Sequence, residues 1–145
     1  MTAVVVTSDA VLLDAATAAP SNMPRPLAGE DFDRAGLVVG LGPDGRAFAS
    51  DCRAIGVVST VLGITLHPAQ EGCPVSVATS GNVTLSAGDV MVLGDVYFGG
   101  GGLTAGNLVP DADLGSSDLS QVVGIAVTRS EITVRPWNTN IARTA

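Results

Sequence analysis

Few residues in this chain are able to do chemistry. His67 is the sole histidine; Pro68 follows it, Glu71 is close by, and Ser59, Ser76 and Ser80 are the serines a triad would draw on. A hydrolytic triad needs a nucleophile beside the imidazole and an acid that orients it. No G-x-S-x-G or comparable nucleophile turn occurs, so His67 reads as a surface-loop residue and no catalytic residue is assigned. Metal ligation has no better basis. There is no H-x-x-x-H, and Cys52 and Cys73 stand 21 positions apart, which matches neither a zinc pattern nor C-x-x-C. In a chain made in the cytoplasm the two cysteines read most simply as free, buried thiols, with a disulfide left open by the sequence. Asp111, Asp113 and Asp118 in PDADLGSSDLS have the alternating carboxylates of a calcium loop. The glycine at the sixth position and the glutamate at the twelfth are not both present, and a solvated acidic loop is the reading adopted.

The stretch GLVVGLGPDGRAFA, residues 36–49, places Gly40, Gly42 and Gly45 in G-x-G-x-x-G spacing after an apolar run. A dinucleotide site requires a helix to start there and hold a pyrophosphate at its N-terminus, with an acidic residue about 20 positions on. RAFASDCRA is too short for that helix, and Glu71 comes too late. The P-loop alternative fails at Arg46 and Ala47, which replace the lysine and the Ser/Thr that touch phosphate and magnesium. A hairpin corner uses every residue: Pro43 presets φ and Asp44-Gly45 supplies the turn. No cofactor is expected.

Charge removes further classes. The formal net charge is −7, from fourteen acidic and seven basic residues, and all seven basic residues are arginine. Without a basic cluster, neither nucleic acid nor an anionic membrane surface is an expected partner. Without lysine there is no Schiff-base chemistry, no Walker lysine and no attachment point for biotin or lipoate. No apolar run reaches the ~20 residues of a membrane helix, and MTAVVVTSDAVLLDAATAAP lacks a basic leader, with Asp9 and Asp14 interrupting its apolar run.

These residues must be carried by strands. At 145 residues the chain is expected to be one domain that buries roughly 70% of its unfolded surface. Aromatic residues are 3% of the chain, so Val, Leu, Ile and Ala must fill the core, while eighteen Gly and eight Pro punctuate it. This composition favours short strands and tight turns. Strand-like runs are LVVGL, RAFA, GVVSTVLGITL, PVSVATSG, NVTLS, VMVLGDVYF, LTAGNLV, QVVGIAVT and EITVRP. Val75, Val77, Val83 and Leu85 alternate with polar residues, the period of a strand with one buried face. Ala47 to Ile55 and Asp111 to Ser120 lack that period and are expected as loops. The order strand, glycine turn, strand, spacer, V-x-G-I-x strand, strand occurs twice: VVGLGPDGRA, VLGITL and VSV, then VYFGGGGLT, VVGIAV and ITV. Such a weak duplication points to an all-β fold, a β-barrel or β-sandwich of short antiparallel strands. Residues 1–35 are expected as an N-terminal arm and Pro-rich linker, and residues 36–145 as the body.

The order of GLVVGLGPDGRAFAS, VVSTVLGIT, EGCPVSVATSGNV, VYFGGGGLT and SQVVGIAVTRSEITVRP, across approximately residues 36–136, resembles small β-rich phage virion proteins known as head decoration or capsid cement proteins. The resemblance implies a non-enzymatic module, frequently a homotrimer, that binds the assembled capsid or another part of the virion; the major capsid protein, on the outside of the shell, is the expected partner. An exposed strand-forming arm can add to a neighbour's sheet edge through main-chain bonds. Val4, Val5, Val6, Leu12 and Leu13 are therefore the expected interaction residues of the arm. Trp137, near the C-terminus, is a packing plug or subunit-contact anchor. The alternative is a receptor- or glycan-binding module of a tail or head fibre.

Overall fold

The computed structural model describes residues 6–12, 25–53, 58–87, 91–111, 114–115 and 117–142, the side chains of 6–12, 86–87 and 103 excepted. Among the described residues ten strands form two antiparallel sheets: β1 (Val6–Leu12), β2 (Val38–Leu41), β3 (Ala47–Ala49), β4 (Gly63–Thr65), β5 (Val77–Ala78), β6 (Gly81–Ala87), β7 (Val96–Gly99), β8 (Leu108–Pro110), β9 (Leu119–Ala126) and β10 (Glu131–Ala142). One sheet has the order β1-β6-β10-β9-β7-β8 and the other β3-β2-β4-β5. Neither closes on itself, so of the two expected architectures the sandwich is the one formed.

The duplication is present in the topology. The order β3-β2-β4-β5 recurs inside the larger sheet as β8-β7-β9-β10, and the registers coincide. Val39 faces Gly63 across β2 and β4 as Tyr97 faces Gly124 across β7 and β9. Ile64 pairs with Ala78 as Ile125 pairs with Thr133. The glycine of each V-x-G-I-x run has the same reason to be glycine. A Cβ on Gly63 would stand 2.0 Å from the Ala78 carbonyl oxygen, and one on Gly124 would stand 2.1 Å from that of Thr133.

The main core lies between the sheets. Val38, Ile64 and Ala78 from the small sheet meet Val83, Leu85, Tyr97, Leu108, Val123, Ile132 and Val134 from the large one. Alternate residues face opposite sides of a strand, so Val39, Ala47 and Val77 point away from this core. They are covered by Ala28 and Phe32, with Leu37 and Val75. The end of the expected linker thus differs from an arm: it forms a third layer. Ala28 bonds the carbonyl of Cys73, Gly29 bonds that of Ala47, and Phe32 and Ala69 exchange two backbone bonds. The cause is composition, because the small sheet carries apolar residues on both faces and both must be dry. β1, from the arm, pairs antiparallel with β6 at the edge of the large sheet.

Two expected runs change character. Among the described residues of GVVSTVLGITL the strand is Gly63–Thr65; residues 59–61 are held instead by side chains. Ser50 Oγ donates to the Thr60 carbonyl, Gln121 Nε2 to that of Ser59, and Asn138 bonds both backbone groups of Val61. Ala47–Ala49, which falls both in the strand-like run RAFA and in the stretch expected as a loop, is β3, because it completes the hairpin with β2. The glycine run of the second hairpin leads into a 3-10 turn at Gly102–Thr104.

Candidate functional site

The opening glycines form the corner of a hairpin. Leu41 pairs with Ala47, Gly42 N–H bonds the Arg46 carbonyl, Gly45 N–H bonds that of Gly42, and Gly45 has φ +79°. Asp44 Oδ1 accepts from the Arg46 N–H at 3.0 Å. At Gly40 a Cβ would lie 2.2 Å from the Thr60 carbonyl oxygen, so this glycine admits a crossing backbone.

His67 is half-buried with both ring nitrogens engaged by backbone. The Ser76 N–H donates to Nε2 at 3.0 Å and Nδ1 meets the Pro68 carbonyl at 2.8 Å, which defines the Nδ1–H tautomer. The Ser76 hydroxyl accepts from Arg25 Nε at 3.3 Å. Asp31 Oδ1 accepts from the Glu71 N–H. Among the other residues singled out, Asp118 accepts from the Gly115 N–H at 2.8 Å and Asp111 is exposed at the end of β8, while Asp113 lies outside the described residues. Cys52 is buried and Cys73 exposed, both as free thiols; the expectation of burial holds for one of them. Burial, with Asp118 and Asp51 nearby, pushes the Cys52 thiol up to about 12. Beside it, Asp51 accepts from Arg53 Nε and Nη2 and from the Gly102 N–H. Burial works to raise the Asp51 carboxyl, but these bonds outweigh it and hold it below its ordinary value.

An apolar surface lies where the outer face of the large sheet is left open. Tyr97 and Leu108 point into the core, so Phe98 and Val109 point outward, where Cys52 and Leu114 cover them. Farther along the sheet that cover ends. Register shifts between Tyr97 and Phe98 and between Val134 and Trp137 allow Val122 and Ile125, three residues apart, to face the same way. The result is two rows across the three strands β7, β9 and β10. Phe98, Val122 and Trp137 form one, and Val96, Ile125 and Thr133 the other. A groove of about 430 Å³ lies here, lined by Val96, Val122, Gly124, Ile125, Arg135, Pro136 and Trp137. Trp137 is 69% exposed, and Val96 and Ile125, which line the groove with it, are exposed as well.

The C-terminal half of β10 is fixed by amides. Val61 N–H donates to Asn138 Oδ1 at 2.7 Å, and Asn138 Nδ2 returns a bond to the Val61 carbonyl at 3.0 Å. Gln121, fully buried, donates to Asn140 Oδ1 and accepts from the Asn140 N–H. Asn140 sits at φ +55°, a conformation that asparagine tolerates better than most residues. Trp137 is therefore displayed by a rigid strand. Of the expected interaction residues, Trp137 lies in this groove. Val6 and Leu12 sit on β1, paired with Ala87 and Val83 at the opposite end of the sheet. Val4, Val5 and Leu13 lie outside the described residues. Val96, Ile125 and Arg135 were missed as site residues. Ile125 has a signal in the unbroken apolar run VVGIAV, which lacks the polar alternation of a strand with one wet face, while Val96 and Arg135 have none.

No protein-family model matches the chain, and no curated protein matches it. Among solved structures a chain from Mycobacterium phage Patience is similar, with 12% sequence identity, a TM-score of 0.61, and coverage of 94% of this chain and 100% of that one. At that identity the likeness is one of fold.

Proposed function

We propose that this chain is a structural protein of a phage virion, a non-enzymatic decoration module that associates with copies of itself and binds the major capsid protein on the outside of the assembled shell. The observation that carries the reading is the fold shared, over nearly all of this chain, with the whole of a phage chain. The open apolar face supports action by contact. Val96, Ile125 and Trp137 line one groove and are each exposed, and apolar side chains left open together on a folded domain often mark a contact site. Stabilisation of the shell follows by mass action, since a protein that binds only the assembled state favours it. Several copies on one lattice gain further through multivalency. A glycan-binding role is less well supported, because the groove is lined by apolar groups with Arg135 as its one charged residue, and sugars need several convergent polar partners.

The test is co-sedimentation with cognate particles lacking the protein, together with light scattering of the free protein. The reading predicts an oligomer that pellets with the particles and raises their rupture temperature. A monomer that stays in the supernatant would overturn it.

A further inference from the structure

The groove on β9 and β10 has a counterpart on the same molecule. The turn Val92–Asp95 closes with a bond from the Asp95 N–H to the Val92 carbonyl, and Gly94 supplies the positive φ, +87°, that the turn requires. Its tip, Leu93, is 66% exposed, and Val92 and Asp95 are exposed with it. Turn tips normally carry polar residues. This one is not a loosely held loop, because four bonds fix it. Met91 N–H donates to the Arg129 carbonyl, Gly94 N–H to that of Ala126, Ala126 N–H to that of Asp95, and Val92 N–H to the Tyr97 hydroxyl at 2.9 Å. A rigid turn that holds an apolar side chain in water is preorganised for a contact, since little conformational entropy remains to be lost on binding.

We propose that the Val92–Asp95 turn of one copy seats in the β9–β10 groove of the next, with Leu93 against Trp137 and Ile125 and Asp95 opposite Arg135. The partner is a second copy of this chain, and the inference rests on the reading that copies associate with one another. Charge selects this surface. Two chains of net charge −7 repel, so they meet with least cost where carboxylates are few. The groove lining has no carboxylate and one guanidinium, and among the described residues Arg135 has no ion pair. The turn brings one carboxylate and two aliphatic side chains. The turn adjoins the groove, Asp95 preceding Val96 and bonding Ala126, so the contact is either reciprocal across a two-fold axis or heterologous and closed into a ring.

Sedimentation velocity on the full chain tests this with Leu93→Ser, Asp95→Arg, Arg135→Asp and the double variant Asp95→Arg/Arg135→Asp. Each single change should weaken association by about tenfold or more, as a central apolar contact or a facing charge does. The double variant should recover most of the wild-type association, which mere loss of solubility or folding would not give. Unchanged far-UV circular dichroism and melting would confirm that the exposed substitutions leave the fold alone. Single variants that assemble like the wild type, or a double variant no better than either single, would overturn the inference. A wild type that is monomeric yet pellets with particles would overturn this contact and leave the capsid-binding reading standing; one that is monomeric and does not pellet would overturn both.

Discussion

Asn138→Ala is the substitution whose cost the structure defines best. The side chain bridges β10 to residue 61 by two bonds, one in each direction, at 2.7 and 3.0 Å. Val61 is 3% exposed, so removing the amide leaves a backbone N–H and a carbonyl with little water to replace it. Leaving the two buried groups unpaired costs about 1 to 3 kcal/mol apiece. Water entering where the half-buried amide stood offsets part of that, and about 2 to 4 kcal/mol remains. Asn138→Asp sharpens the argument. It keeps an acceptor for the Val61 N–H but sets an oxygen against the Val61 carbonyl, so it should be no more stable than the alanine variant. Equilibrium urea unfolding, with the slope fixed across variants, measures both. Either variant within about 0.5 kcal/mol of the wild type, the range of an ordinary surface substitution, would refute the claim that this amide clips the strand in place.

Other expectations follow from the same geometry. Gly63→Ala and Gly124→Ala should each destabilise the fold by about 1 to 3 kcal/mol or more, because a Cβ would meet a backbone carbonyl that cannot move alone; Gly45→Ala, with open space around it, should cost only about 1 kcal/mol of backbone strain. Chemical denaturation of the three variants checks the order. Under native conditions at pH 8 a thiol reagent should modify Cys73 and spare Cys52, which is buried and titrates at about 12, and should modify both after unfolding. Mass spectrometry of the adducts reads this out. Asp51 is held below its ordinary value near 3.8 when folded, so its contribution is present above that pH and is lost as pH falls through the lowered folded value. Asp51→Asn should therefore cost about 1 kcal/mol at neutral pH and lose less stability on acidification below about pH 4 than the wild type does, as followed by urea midpoints.

Much of the fold is legible in the sequence because glycine and valine carry local instructions. The period-two run from Val75 to Leu85, the Pro43-Asp44-Gly45 corner and the repeated V-x-G-I-x segment each correspond to an observed element, and the repeat predicts the shared strand order of the two sheets. Where the reading falls short, long-range geometry decides. Ser59 and Val61 lie in a run with strand propensity, yet Gln121 and Asn138, more than 60 positions away, capture their backbone groups. Ala28 and Phe32 sit among prolines and charges, and nothing local tells that they roof a sheet with two apolar faces. Of the residues lining the candidate groove, the sequence reading names only Trp137. Its partners Val96, Ile125 and Arg135 reach the same face through register shifts in β9 and β10, which a period-two count cannot anticipate.

The central claim is that this fold serves a phage particle by contact at its surface, and a reconstruction of the cognate particle tests it most directly. The account predicts density for the two-sheet module on the outside of the shell, touching the major capsid protein, and loss of that density when the gene product is withheld. Density confined to the tail tip, or particles that never carry the protein, would contradict it.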